Sequence, residues 1–408
     1  MNADQISCDP RTCALLRLTL AEGLGPILVG RLLTHFGSPE AILAASPAQL
    51  ERVRGLGPAR SRAIAAAIAD VGHQLDRELE LIHRHGVRLL AIGTDAYPPA
   101  LAQIADPPPL LYVRGHIDHA GLDQYCVAIV GSRECTHYGL EQAGRFAAGL
   151  AGSGLTVVSG GARGIDTAAH RGARSAGGRT VAVLGCGLAQ CYPPENAELF
   201  DRLVADQAGA VVGELPMSTP PKSENFPARN RIISGLSLGV LVVEAGPRSG
   251  SLITARLAGE DHGREVMALP GRVDSLASRG ANELLKSGCA SLVTEPADVI
   301  DLLHAPGRRH HEGHEVSLWK SADPSADVPP ELPPTRVPDA LATADREIGL
   351  TPRQQSIIDS IGPCGERATI EQIADRTSTP IHVLRSELTI LELRRSVRRA
   401  GSAFERAR

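Results

Sequence analysis

The chain has 408 residues, enough for two or three domains, and at 43% hydrophobic residues it can bury a sizeable core. No apolar run reaches the ~18 residues that a bilayer crossing needs. The first twenty residues, with Asp4, Cys8 and Asp9, lack a basic-then-apolar leader pattern, so a cytoplasmic protein without membrane partners is expected. The net charge of −4 excludes a uniformly basic nucleic-acid binder, so cations that meet phosphate must be concentrated on one face.

Residues 10–72 read as a small helical module. Gly23-Leu24-Gly25-Pro26 opens one amphipathic stretch, and Gly55-Leu56-Gly57-Pro58 opens a second. This pattern suggests a SAM-like or tandem helix-hairpin-helix unit. The amides of such turns can grip a phosphate; equally, the module can serve only for packing or protein contact.

Residues 80–304 carry a different pattern. Short β-branched runs at Cys126–Val130, Leu155–Ser159, Thr180–Leu184, Ala210–Glu214, Gly239–Glu244, Glu265–Leu269 and Ala290–Val293 alternate with amphipathic segments. Among those segments are Gly139–Ala151, Asp166–Ser175, Glu195–Asp206, Asn230–Leu236, Leu252–Asp261 and Asn282–Lys286. Near-continuous apolar strands separated by helices predict an α/β, Rossmann-like, mostly parallel doubly wound sheet covered on both faces. Val87–Ile92 and Leu110–Arg114 extend that sheet or pad its edge.

Residues 305–345 are expected to be a disordered linker. The string His310-His311-Glu312-Gly313-His314 is not a zinc-binding His-Glu-x-x-His helix, and its Pro-rich surroundings do not favour a helix face. Residues 346–408 read as a winged helix, with helices at Pro352–Ile361, Ile370–Arg376 and His382–Leu393 and a wing over Ser396–Phe404. Arg385, Arg394, Arg395, Arg398 and Arg399 can face DNA, or the unit can contact proteins. Eight cysteines without a Cys-x-x-Cys pair fit reduced thiols better than disulfides or a zinc site.

In an open parallel sheet, ligands sit beyond the carboxyl ends of the strands. Those ends read Gly131-Ser132-Arg133, then Ser159-Gly160-Gly161-Ala162-Arg163-Gly164-Ile165-Asp166, then Gly185-Cys186-Gly187. Lys222, Phe226, Arg229, Asn230 and Arg231 follow the fourth strand, and Gly250 and Ser251 follow the fifth. Glycines let backbone amides approach an anion, Arg adds bidentate phosphate contacts and Lys adds a point charge. Several anion subsites in a row suit a polyanion. Phe226 is one of five Phe, and among cations it fits a base-stacking platform; its alternative is a core residue at a helix start.

Several enzyme classes fail on inspection. There is no Gly-x-x-x-x-Gly-Lys-Ser/Thr loop for ATP. The first strand turn is Gly-Ser-Arg, and the second strand ends at Ser159 where a dinucleotide fold needs a ribose-binding acid. Gly235-Leu236-Ser237-Leu238-Gly239 has a helix before it and a strand after it, the reverse of a nucleophile elbow. Asp166, Glu214 and Glu244 are acids at strand ends that can orient an Arg or cap a helix as readily as act as bases. No catalytic residue, cofactor or metal is expected.

At these residues the sequence resembles the DNA-processing protein A (DprA/Smf) family. Ala128–Arg133, Ser159–Ala169, Val181–Gly187, Tyr192–Asn196, Phe226–Ser237, Glu244–Glu260, Leu269–Gly271 and Asn282–Gly288 carry the resemblance in order. It implies a non-enzymatic single-stranded DNA-binding protein that protects incoming strands in natural transformation and loads the recombinase RecA, acting as a homodimer. By motif, Ser132 and Arg133 would hold a phosphate, Lys222 would add charge and Phe226 would stack on a base. Arg229, Asn230 and Arg231 would complete the pocket. The rival is a nucleotide-processing enzyme similar to the Lonely Guy phosphoribohydrolases. The acid of their Pro-Gly-Gly-x-Gly-Thr-x-x-Glu loop has no counterpart in Pro247-Arg248-Ser249-Gly250-Ser251-Leu252-Ile253-Thr254-Ala255. A scaffold binding a small nucleotide as a signal is a third possibility.

Overall fold

The computed structural model describes residues 9–315 and, beyond them, 352–362, 367–377, 379, 384, 388, 391, 397–400 and 403–406. By internal contacts the chain divides into two units, residues 1–320 and 321–408.

The first unit begins with six helices: α1 (Pro10–Leu20), α2 (Pro26–Phe36), α3 (Pro39–Leu43), α4 (Pro47–Leu50), α5 (Pro58–Asp70) and α6 (Gly72–Arg84). Proline opens the first five, where its missing N–H is one the first turn leaves unpaired anyway. Asp9, Ser38 and Ser46 cap α1, α3 and α4 with their side chains; Gly25 and Gly57, before α2 and α5, have none to offer. The two Gly-Leu-Gly-Pro turns lie within reach of each other, since Arg60 Nη2 donates to Gly23 O at 3.5 Å.

A nine-stranded sheet follows: β1 (Val87–Ala91), β2 (Leu110–Gly115), β3 (Cys126–Val130), β4 (Thr156–Gly160), β5 (Thr180–Val183), β6 (Gly209–Gly213), β7 (Gly239–Val242), β8 (Glu265–Ala268) and β9 (Ser291–Leu292). Its order is β1-β2-β6-β5-β4-β3-β7-β8-β9. From β6 to β9 every pairing is parallel, while β1 and β2 add antiparallel edges. The connecting helices are α7 (Pro99–Ala102), α8 (His137–Gly152), α9 (Ile165–Ser175), α10 (Ala197–Ala205), α11 (Asn225–Gly235), α12 (Ser251–Arg256), α13 (Arg279–Lys286) and α14 (Pro296–Glu315).

Strand alternation explains how a nearly unbroken apolar run is used. Val127, Ile129, Val157 and Leu241 pack with Ala143, Phe146, Leu150 and Ala169 of α8 and α9. Ala128, Val130, Val158, Val240 and Val242 face the other way, onto Ile232, Ile233 and Ala255 of α11 and α12. The amino-terminal helices share one core with the sheet, where Leu15, Leu32 and Ile64 join Tyr112, Leu184 and Phe200. That core continuity makes the helical module part of the first unit.

Two expectations need correction. The stretch from 305 was expected to be a linker, yet α14 runs on to Glu315. Pro306 costs one intrahelical hydrogen bond, but its fixed φ is a helical value, so the helix persists through it. Helix α11 starts at Asn225, five residues ahead of the expected Asn230, because Pro227 sits in the first turn, where it does not break a helix.

The second unit contains α15 (Pro352–Ile361), β10 (Arg367–Thr369), α16 (Ile370–Thr377), β11 (Val397–Ala400) and β12 (Ala403–Arg406). The strands form an antiparallel sheet in the order β10-β12-β11. Strands therefore occupy the segment expected as a wing. Of the expected third helix only the buried, helical Leu384, Leu388 and Leu391 are described; Arg385, Arg394 and Arg395 lie outside the described residues. Among the described residues no helix is long and apolar enough to cross a membrane, and no cluster of His, Cys, Asp and Glu is arranged to hold a metal.

Candidate nucleic-acid interface

The strand order reverses beside β3: the chain moves outward through β4, β5 and β6, then returns to place β7 on the other flank of β3. The loops after β3 and β7 separate at such a switch point and leave a crevice. A cleft of about 880 Å³ lies there.

Its floor is stitched from loops. Ser132 N donates to Glu244 O at 2.7 Å, joining the β3 loop to the β7 loop. Ile165 N donates to Ser132 O at 3.2 Å, joining α9 to the same turn. Gly164 adopts φ +75°, and a Cβ there would lie 2.4 Å from Ser132 O, so only glycine allows this approach. Glu134 N donates to Ser132 Oγ at 3.1 Å. On the β7 side, the Ser249 and Ser251 hydroxyls lie 2.8 Å apart, and Gly250 opens onto empty space.

Arg133 is exposed, and its guanidinium carbon lies 4.9 Å from the centroid of the Phe226 ring. Tyr192, in the loop after β5, brings its ring to 5.5 Å from that of Phe226 at 42°. Phe226 is therefore neither a core residue nor a bare platform. It is a half-buried ring at the start of α11, shared between an arginine and a tyrosine.

Three successive residues of α11 then point in three directions, as 100° per residue requires. Arg229 turns inward, is buried, and donates to Val183 O. Burial lowers its pKa to about 10. Asn230 Nδ2 donates to Gly250 O at 3.3 Å and ties the helix to the β7 loop. Arg231 turns away from the cleft into ion pairs with Asp106 at 3.0 Å and Glu214 at 2.6 Å. It was expected in the anion pocket, but both carboxylates lie on the far side of the helix and neutralise it there.

Asp166, at the first turn of α9, accepts from Ala162 N at 3.2 Å. Burial pushes its carboxyl up to about 6 despite the opposing pull of Arg229. Gly160 lies against both groups: a Cβ there would be 2.4 Å from Asp166 Oδ2 and 2.8 Å from Arg229 Nη2. Ser159 is spent on Ile129 O at 2.6 Å. Gly161 and Arg163 border a small recess behind Phe226, where Arg163 pairs with Glu195 at 2.7 Å. Lys222 is exposed on the rim, and its neighbours Pro221 and Ser223, rather than Lys222 itself, line the cleft.

The cleft thus gathers Gly131, Ser132, Arg133, Asp166, Phe226, Arg229, Asn230, Gly250 and Ser251 from the expected set. Glu244 is occupied by Thr136, whose N and Oγ1 donate to it at 2.7 and 2.9 Å, so it anchors the residue that caps α8. Glu214 orients Arg231. Two further contributors stand in segments quoted from the sequence without a role for them. Tyr192 is one of only five Tyr and lies in the connection after β5, a signal of the same kind as that of Phe226. Arg248 is exposed in the β7 loop and lines the cleft. Among the described residues no ion pair engages Arg133 or Arg248, so the positive charge of this cleft is available to a ligand.

Comparison with known proteins agrees with the geometry. Protein Smf of Escherichia coli K12 is 39% identical over 305 residues, covering 75% of this chain and 73% of that protein. DNA processing protein DprA of Streptococcus pneumoniae is 44% identical over 210 residues, covering 52% of this chain and 72% of that one. The X-ray structure of the Streptococcus pneumoniae protein matches with a TM-score of 0.62 at 34% identity, over 71% of this chain and 97% of that one. Residues 15–70 match the SAM-like helix-hairpin-helix tandem. Residues 88–304, more than half of the chain, match DNA recombination-mediator protein A, and the chain belongs to that family.

Proposed function

We propose that the chain is a recombination mediator that binds single-stranded DNA in the switch-point cleft without altering it chemically. The observation that carries this reading is the meeting of unpaired Arg133 and Arg248 with the Tyr192–Phe226 ring pair over a floor of glycine and serine loops. Cations beside an aromatic platform suit a strand whose bases are unstacked and exposed, and stacking accepts any base, so sequence is not read. A duplex hides its base faces and gains only the phosphate contacts.

Catalysis has no part in this reading, since Asp166, Glu214 and Glu244 are each engaged by a structural partner. The strand so held is delivered to RecA, as the family's description as a recombination mediator suggests. In a homodimer two clefts grip successive stretches of one strand, which raises effective concentration and permits stepwise release.

Fluorescence anisotropy of oligothymidine and of a matching duplex, each at two salt concentrations, tests the reading. The expected result is tighter, salt-sensitive binding of the single strand. Equal affinity for the two, or tight binding of a mononucleotide with no gain from longer strands, would overturn it in favour of a small-nucleotide pocket. Faster RecA nucleation on oligothymidine in the presence of the protein tests delivery.

A further inference from the structure

The segments after β5 and β6 bring Tyr192 and, at the start of α11, Phe226 to the cleft, and those after β7 and β8 bring Ile253 of α12 and Leu276. With β4 and β3 between β5–β6 and β7–β8, the two pairs stand on opposite sides. Ile253 is 36% exposed and Leu276 67% exposed, and both line the cleft.

The segment carrying Leu276 is held firmly. Gly271 N donates to Asn282 Oδ1 at 3.0 Å, and Asn282 Nδ2 returns a bond to Gly271 O at 3.0 Å. Tyr138 Oη donates to Pro270 O at 3.2 Å, and Gly280 N donates to Ala245 O at 2.7 Å. These bonds fix both ends of the segment, at 270–271 and 280–282, from which Leu276 is presented to solvent.

We propose that Ile253 and Leu276 form a second, apolar wall of the cleft, which packs against nucleobases of the bound strand opposite the Tyr192–Phe226 pair. The inference rests on the single-stranded DNA reading and deepens it. The phosphates lie over the glycine and serine floor beside Arg133 and Arg248, while the bases lean against an aromatic wall on one side and an aliphatic wall on the other. Aliphatic contact is indifferent to base identity but requires an unpaired base, so this wall adds discrimination against duplex without sequence preference. The occupant is argued from continuity: both residues line the same cleft as the rings and cations.

Anisotropy with two probes tests the wall: oligothymidine, and an abasic deoxyribose-phosphate oligomer of equal length. Leu276→Ser should weaken oligothymidine binding about 10-fold, as removal of one exposed leucine from an apolar contact predicts. It should leave the abasic oligomer and the salt dependence unchanged. Phe226→Ala should show the same selectivity with a loss of about 5- to 150-fold. Val273→Ser removes an apolar side chain that is 97% exposed on the same loop but does not line the cleft, and should change neither probe.

An unchanged oligothymidine affinity in Leu276→Ser, or an equal loss for both probes, would overturn the wall. So would an equal loss in Val273→Ser, or a changed sedimentation coefficient with DNA binding intact, which would make the loop a protein contact. Failure of the underlying reading looks different: the wild-type protein would then bind oligothymidine no better than the abasic oligomer.

Discussion

The two ends of the central sheet carry similar raw materials and use them in opposite ways. At the carboxyl end, Arg133 and Arg248 line a cleft of about 880 Å³, and neither forms an ion pair among the described residues, although Glu134 and Asp166 line the same cleft. At the amino end, Arg174 and Arg179 line a groove of about 630 Å³, and both are already paired. Arg179 donates to both oxygens of Asp123, at 2.8 and 2.6 Å, and to the Gln207 and His116 carbonyls at 2.8 Å each. Arg174 pairs with Asp206 at 2.9 Å. Electrostatic capacity for a polyanion therefore depends on which arginines are not already held in an ion pair, not on how many arginines surround a groove. A net charge of −4 is compatible with a binding cleft for the same reason.

The comparison breaks most visibly at Arg179. Arg179→Ala would strand Asp123, whose side chain is 1% exposed, and should cost about 3–5 kcal/mol of stability. A large fall in melting temperature is expected, with unchanged DNA affinity in the protein that remains folded. A loss of DNA binding instead would move the nucleic-acid site to the amino end.

Asp166 gives the next effect, about 3 kcal/mol, and it depends on pH. Its carboxyl titrates near 3.8 when unfolded and near 6 in the native protein. Between pH about 4 and about 6 the native state keeps a proton that the unfolded chain has released, so stability falls as pH rises through this window. Asp166→Asn should flatten that part of a melting-temperature profile; an unaltered slope would mean that another group is responsible.

Arg133→Ala should weaken oligothymidine binding about fivefold, close to 1 kcal/mol, and lower the salt slope by about 0.7. Titrations over a range of salt concentrations measure both effects. Arg174→Ala, at the paired amino end, breaks a half-exposed ion pair and should change stability by at most about 1 kcal/mol and DNA affinity not at all. Equal affinity losses in the two variants would erase the distinction between the two ends.

Much of the fold was legible in the chain. Cys126–Val130 is a strand with the bounds its apolar run suggests, and β4 to β8 fall within a residue or two of theirs. The reason is physical: a parallel strand buried on both faces must be apolar nearly throughout, and its flanking turns must carry glycine. The edge strand β9 shrank to Ser291–Leu292, since an edge has one partner and less burial to define it. The two helices that ran furthest past expectation each contain a proline. Pro227 sits in the first turn of α11 and Pro306 lies inside α14.

The candidate site divides in the same way. The sequence by itself determined the strand ends, the glycine turns at 131 and 164, and the presence of Arg133, Phe226 and Arg229 among them, because parallel strands deliver their following loops to one edge. Tertiary structure alone decided the fate of each charge and ring. Arg231 is neutralised by Asp106, 125 residues away in the chain, and Arg163 by Glu195. Tyr192 becomes a partner of Phe226 only when the β5 and β6 loops converge. Local patterns set backbone conformation within a few residues, whereas pairing energies depend on distances of a few ångströms between groups far apart in the chain, and those distances exist only once the sheet has assembled.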